Sequence, residues 1–316
     1  PYPITDKGNP SFTADFLMSC DAPIAQAISA CRKNTKLMNS FIEGAYKKYV
    51  VDGRLYAGFN QIGAVTGRMS SSRPNLQQTP RDARFRELFI ADEGETLVGI
   101  DYSQIEPRLA LHYCAGEVAN ELKELFNKTP ESDFYAILMT SAPDVERQVM
   151  KMVLLAQLYG QGEASLALKL GDAVTGKRIL DGFNGNFPFF RALAKQVSST
   201  ARRRKYIRTV GQRRCNYNGA DSTTLHKAPN RLIQGGAADI MKKAIVDLWE
   251  GGWCAEDKLG APIAVVHDEL IFSTKLVGDD LKLALKGLED TMVNAYPLTC
   301  PLHAESNTGN SWWDIH

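Results

Sequence analysis

The segments of this chain that can form buried strands are few, short and far apart. Leu97–Asp101 (LVGID) is one; the next, Ala261–Val266 and Leu270–Thr274, lie beyond a long helical stretch and are joined at His267-Asp268-Glu269. A sheet assembled from such runs must draw distant parts of the chain together, with helices filling the intervals. The pattern predicts an α/β (α+β) fold, a small sheet with a helical subdomain. Helical spacing is read from Gln104 to Cys114, over 163–171, 187–203 and 229–250, and over 21–50. In the last of these, Ile24, Ala27, Ile28, Cys31, Leu37, Phe41 and Ala45 are the candidates for buried faces. Ser141 and Asp144 read as a capping box with Pro143 in the first turn, opening a helix that runs to about Tyr159 and stops before Gly160 and Gly162. Residues 1–20, rich in Pro, Gly, Ser and Thr, and the polar stretch 66–92 read as irregular chain.

Composition narrows the class. At 316 residues the chain has room for about two domains. With 44% apolar and 23% charged residues it is neither a disordered chain nor a membrane protein, and its apolar runs are too short to span a bilayer. Six cysteines lie far apart with no C-x-x-C pair, which argues against a zinc ribbon and a disulfide framework. A reducing, cytoplasmic setting is the matching expectation, and no signal peptide opens the chain. A start at Pro1 instead of Met reads as a fragment or a processed form. The net charge of +1 and pI of about 8.0 do not announce a nucleic-acid binder. Locally, however, Ala201–Arg214 holds seven Lys/Arg and no acid. That segment reads equally as a solvated basic face or as a phosphate contact.

Three constellations carry chemistry. Asp101 ends a strand, where a carboxylate can hold a hard cation; on spacing alone, a cap for the following helix is the plainer reading. Asp268 and Glu269 sit with His267 in the tight turn of an apolar hairpin. Turns favour Asp, but repulsion between adjacent carboxylates would also be relieved by a divalent cation. Arg147, Lys151 and Leu155 fall on one side of a helix, and Met150, Val153, Leu154 and Gln157 on another. The first face suits a polyphosphate, and it also fits an ordinary amphipathic helix.

Together these segments resemble the signature motifs of family A DNA polymerases, the DNA polymerase I family. Asp101-Tyr102-Ser103-Gln104-Ile105-Glu106-Pro107-Arg108-Leu109 resembles the first motif. Arg147, Lys151, Tyr159 and Gly160 keep the spacing of the second, and Val266-His267-Asp268-Glu269 matches the third. Thr66-Gly67-Arg68-Met69-Ser70-Ser71, Asn75-Leu76-Gln77-Gln78-Thr79-Pro80, and Asn230 with Gln234-Gly235-Gly236-Ala237-Ala238-Asp239-Ile240 support the match. So does the ending Asn310-Ser311-Trp312-Trp313-Asp314-Ile315-His316, and the likeness runs from about residue 30 to the end.

The resemblance implies a right-hand polymerase fold with an antiparallel-sheet palm, helical fingers and a reduced or partial thumb. Residues 1–50 would be thumb-like, 51–110 and 226–316 palm, and 111–225 fingers. It implies a DNA-directed DNA polymerase without a 3′→5′ exonuclease in this chain. Two Mg²⁺ ions, with Mn²⁺ as a substitute, would be held by Asp101, Asp268 and the Tyr102 carbonyl, with Glu269 supporting from the side. Arg147 and Lys151 would meet the incoming triphosphate, Lys151 also protonating the leaving group. Tyr102, Gln104, Glu106, Tyr135, Leu155 and Tyr159 would complete the dNTP site, Glu106 closing the space at the sugar 2′ position. Arg68, Asn230, Gln234, His267 and Arg213 would contact DNA, where minor-groove acceptors do not encode sequence. The implied partners are primer–template DNA, dNTPs and a processivity or replisome factor; the chain would be a monomer away from membranes. A small thumb predicts a weak grip on DNA.

Three positions depart from the family pattern. Leu155 replaces an aromatic residue, Asp133-Phe134-Tyr135 stands where many members have Asp-x-His, and His226 stands where an Arg often contacts DNA. They point to a divergent, phage-type branch. Two competing readings share these residues: a single-subunit RNA polymerase, opposed by Glu106, and a primer–template binding module without catalysis, opposed by the presence of Asp101, Asp268, Arg147 and Lys151.

Overall fold

Four strands form one antiparallel sheet: β1 (Thr96–Tyr102), β2 (Ala264–Val266), β3 (Glu269–Thr274) and β4 (Ala304–Gly309), in the order β4-β1-β3-β2. In this computed structural model the described residues are 2–159, 166, 173–217 and 222–316. Most of the helix expected over 163–171, with Gly160 and Gly162, lies outside them. Successive side chains of β1 and β3 point to opposite faces, and both faces are largely covered, Leu97 and Ile271 being buried as well as their neighbours. Val98, Ile100 and Tyr102 of β1 and Leu270 and Phe272 of β3 are buried. The Tyr102 hydroxyl donates to the Met292 carbonyl at 2.7 Å, tying β1 to a helix that lies against it. Leu97, Gly99 and Asp101 take the alternate positions. Gly99 is required there, because an added Cβ would stand 3.0 Å from both the Ile315 side chain and its carbonyl.

Five helices surround the sheet or carry candidate site residues: α1 (Ile105–Tyr113), α2 (Arg147–Leu158), α3 (Pro188–Arg204), α4 (Ala228–Glu250) and α5 (Gly278–Val293). On α5, Ala284, Leu288 and Met292 recur every four residues and are buried, the stripe expected of a helix packed on one side. α4 is buried along most of its length, and Gly236 lets it approach α1: a Cβ there would lie 2.5 Å from the Leu109 side chain. An aromatic cluster supports the helical part. Phe126 and Phe134 stack at 5.0 Å, and the Phe190 ring lies 6.2 Å from Phe134 and 6.0 Å from Phe183. Burial of each such ring is worth about 2–3 kcal/mol.

The chain divides into two compact units, residues 1–60 with 71–79, and residues 61–70 with 80–316. The four-stranded sheet and the five helices α1–α5 belong to the second. The first is built around Pro23–Leu37, whose helix widens through Met38–Tyr46 and ends at Tyr49. Within it the Tyr46 hydroxyl donates to Thr79 Oγ1 at 3.2 Å, and Ser71 Oγ accepts from the Leu76 N–H.

Several expectations need correction. The first helix has the right extent, but Ile24, Ala27, Ile28 and Cys31 are exposed, while Ala25 and Tyr46 are buried. α2 begins at Arg147, not at a capping box on Ser141. The Ser141 hydroxyl donates to the Leu138 carbonyl within the preceding turn, and Asp144 pairs with Arg178. Pro143 also keeps Ala142 out of the helical region (φ −156°, ψ 80°). Tyr206–Arg208 and Arg214–Asn216 form a hairpin inside the basic stretch, and the sequence pattern marks neither β4 nor α5. No described helix is long and apolar enough to cross a membrane.

Candidate active site

Sheet register brings the acids together. Asp101 pairs directly with Glu269 across β1 and β3, and Val266 pairs with Glu269 across the hairpin, leaving His267 and Asp268 as its two-residue turn. That turn needs a left-handed residue, and His267 supplies it at φ 61°. A non-glycine residue held there is strained, as is common where a turn must aim a functional group. The Tyr102 N–H reaches the Asp268 carbonyl at 3.4 Å, so the turn folds back on the end of β1.

Burial pushes the Asp101 carboxyl up to about 8, helped by the negative charges of Asp268 and Glu269 and opposed by Arg81. Asp268 is also raised, by burial first, with Arg68 opposing. Asp101 Oδ1 is buried and has no hydrogen-bond partner among the described residues. Two crowded carboxylates and an orphaned oxygen make an all-oxygen donor set that suits a hard divalent cation. Among the described residues no three His, Cys, Asp or Glu side chains converge as a complete ligand cage. The Tyr102 side chain lies in the core, so only its backbone carbonyl could join such a set.

α2 presents the cations. Met150, Val153, Leu154 and Gln157 are buried, while Arg147, Lys151 and Leu155 lie on the more open side. Arg147 grips Asp133 with two donors, Nε to Oδ2 at 2.6 Å and Nη2 to Oδ1 at 3.2 Å. Burial alone would raise the Asp133 carboxyl, but the Arg147 hydrogen bonds and the Tyr135 N–H hold it below its ordinary value. Tyr135 is buried, with Arg147 and Lys151 over its ring.

Glu106, in the first turn of α1, is the hub of a second cluster. It accepts from Arg68 Nη2 at 2.5 Å and from the Tyr159 hydroxyl. Gln234 Nε2 reaches the same hydroxyl at 3.4 Å. Burial, then the Glu106 carboxylate, pushes the Tyr159 phenol up, so it remains a donor. Gln104 starts α1 in a left-handed conformation, and its side chain accepts from the Phe134 N–H at 2.7 Å. Asn230 lies one turn before Gln234, on the same side of α4. His267 is exposed and, with Arg68, Met69, Met241, Lys242 and Asp268, lines a small cleft.

Arg213 is directed inward. Its guanidinium pairs with Asp239 at 2.8 Å and donates to the carbonyls of Thr66 at 2.6 Å and Gly235 at 3.0 Å. Lys242 Nζ donates to the Gly67 carbonyl at 2.7 Å. Gly67 has φ +86°, and a Cβ there would lie 2.5 Å from the Arg213 guanidinium carbon. Arg213 therefore braces the loop that carries Arg68. In contrast, Arg202, Arg203, Arg204, Lys205, Arg208 and Arg214 are exposed. His226 is exposed beside the start of α4.

The sequence pattern does not single out Asp133, Asp239, Lys242, Arg81 or Arg108 as site residues. Of these, Asp239 and Arg108 leave a trace, as parts of the Gln234–Ile240 and Asp101–Leu109 matches. Arg108 is fully buried with its donors on four carbonyls, Ser103, Pro130, Ser132 and Pro301. Nothing in its spacing marks it as more than a helix-surface cation.

Comparison with known proteins finds relatives over nearly the whole chain. The model of DNA polymerase family A covers residues 3–314. The chain is 31% identical to a DNA-directed DNA polymerase of Pseudomonas phage M6, over 98% of this chain and 55% of that protein. It is 33% identical to the thermostable DNA polymerase I of Thermus filiformis, over 92% of this chain and 36% of that one. Among solved structures it resembles the POL domain of Pol1 from M. smegmatis in complex with DNA primer-template and dNTP. There the TM-score is 0.84 and the identity 29%, over all of this chain and 58% of that one. The chain spans about half or less of the length of these curated relatives.

Proposed function

The chain belongs to DNA polymerase family A, and from that premise we propose that it is the nucleotidyl-transfer part of a DNA-directed DNA polymerase. Its substrates would be primer–template DNA and dNTPs, joined at the primer 3′-hydroxyl with release of pyrophosphate. The observation that carries the reading is the meeting of Asp101 with the Asp268 turn, with one buried carboxylate oxygen left without a partner.

Asp101, Asp268 and the Tyr102 carbonyl would hold the divalent ions, with Glu269 buttressing Asp101 from the opposite strand. Two Mg²⁺, or Mn²⁺ in their place, would supply charge neutralisation at the phosphates and acidify the primer hydroxyl. Arg147 and Lys151 would bind the triphosphate, and Lys151 would give a proton to departing pyrophosphate. Glu106, fixed by Arg68 and Tyr159, would occupy the space that a ribose 2′-hydroxyl needs. Tyr159 and Leu155 would pack near the nascent pair. His267 would meet the primer terminus, and Arg68, Asn230 and Gln234 the duplex minor groove. The exposed cations of 202–214, without Arg213, would face phosphates. In this reading residues 1–50 are thumb-like, 111–225 fingers and the remainder palm.

The test is extension of a labelled primer on a DNA template with Mg²⁺ and either dNTPs or NTPs, alongside Asp268→Ala. Extension with dNTPs that is lost in the variant supports the proposal. Extension with NTPs at comparable rate would overturn the role of Glu106, and duplex binding without extension would favour a binding module.

A further inference from the structure

Asp133-Phe134-Tyr135 is anchored on its inner side and holds two cations on its outer side. Phe134 is buried, stacked on Phe126 with the rings 11° apart, and its N–H is fixed by Gln104. The preceding carbonyls of Pro130 and Ser132 accept from Arg108 at 2.6 and 3.3 Å. Arg108 also donates to Ser103 and Pro301, so the first motif itself fixes this segment in place. Outward, the Asp133 carboxylate takes the Nε–Nη2 edge of Arg147 while accepting from the Tyr135 N–H at 3.0 Å. The Tyr135 ring lies 5.0 Å from the Arg147 guanidinium carbon and 6.0 Å from Lys151 Nζ.

Two like charges one helical turn apart repel and would swing apart in solvent. An aromatic ring that both approach attracts both through its quadrupole. Asp133 uses only one edge of the guanidinium, which leaves Nη1 and one Nη2 proton for an anion. We infer that Asp133 and Tyr135 are positioning residues that hold Arg147 and Lys151 in register for a triphosphate, and that Tyr135 acts through its ring face, not by donating its hydroxyl to phosphate. This rests on the proposed triphosphate role and goes beyond it by naming what sets the two cations.

The experiment is single-nucleotide incorporation on a fixed primer–template, with KM for dNTP and kcat measured separately. Tyr135→Leu, Tyr135→Phe and Asp133→Asn are compared with the unaltered chain. Duplex affinity without nucleotide, read by fluorescence anisotropy, reports whether each variant is folded. Tyr135→Leu should raise KM on the order of tenfold, with a smaller fall in kcat. Tyr135→Phe should recover most of the lost affinity, because it keeps the ring and lacks only the hydroxyl. Asp133→Asn, at a more open position, should raise KM severalfold with duplex affinity retained. Equal KM values for the Phe and Leu variants would overturn the ring role, and an unchanged KM in Asp133→Asn would overturn the positioning role. An unaltered chain that binds duplex but incorporates no dNTP would refute the polymerase reading itself.

Discussion

Replacing Asp101 with Asn should stabilise the metal-free protein while abolishing its activity. The Asp101 carboxyl is lifted from an ordinary 3.8 to about 8 by burial and by the charges of Asp268 and Glu269. Each unit corresponds to about 1.4 kcal/mol, so a fully desolvated carboxylate would cost on the order of 5 kcal/mol at high pH. Water entering an open cleft reduces that to about 3 kcal/mol. Below about pH 4 the group is protonated in both the folded and unfolded chains and contributes nothing. Between about 4 and 8 the folded chain keeps a proton that the unfolded chain has lost, so stability falls as pH rises. Above about 8 the full cost is present. Thermal unfolding in EDTA at pH 6 and pH 8.5 reads this directly. About half of that cost falls between the two, so the unaltered chain should lose about 3–6 °C of Tm, taking about 2–4 °C per kcal/mol for a unit of this size. Asp101→Asn should lose much less. Mg²⁺ at pH 8.5 should restore the unaltered chain and leave the variant where it is. Parallel pH slopes for the two proteins in EDTA would refute the argument that this carboxylate is strained without a cation.

Three further substitutions test the same geometry. Glu106→Ala opens the sugar pocket and frees Arg68; the ratio of NTP to dNTP kcat/KM should rise at least about tenfold, and an unchanged ratio would remove Glu106 from selectivity. Asp239→Ala leaves the half-buried Arg213 unpaired beside Gly67. It should cost about 1–3 kcal/mol in denaturant unfolding, where a cost near zero would show that the pair braces nothing. Gly236→Ala places a methyl 2.5 Å from the end of the buried Leu109 side chain, which must shift within a packed core at about 1–2 kcal/mol, and adding Leu109→Ala as a second-site change should recover part of that cost.

What the sequence discloses here depends on whether a residue acts locally. Asp101 and Asp268 each follow a short apolar run, but spacing alone favours a helix cap and a turn for them; the motif resemblance pairs them, and the register then sets Asp101 opposite Glu269. The divided face of α2 is legible from 3.6-residue spacing alone: Met150, Val153 and Leu154 are buried, and Arg147 and Lys151 are not. The start of α2 is not legible, because Ser141 and Asp144 satisfy a local pattern while spending their polar groups elsewhere. The exposed residues of the first helix fail for the opposite reason. Periodicity marks a face that could be covered, but it cannot say that Ile24 and Ile28 will be. β4 is invisible because AESNTG has no apolar alternation; it is a strand only because β1 offers it a ladder. Charged residues show the limit most clearly. Arg213 stands in a run of cations that reads equally as a solvated face or as a phosphate contact, and its neighbour Arg214 is exposed. Arg213 alone finds Asp239, 26 residues later, together with the carbonyls of Thr66 and Gly235. A guanidinium turns inward when enough acceptors converge on it to replace water. Convergence is a property of the folded backbone, so no reading of that cationic run by itself could separate the brace from the contacts.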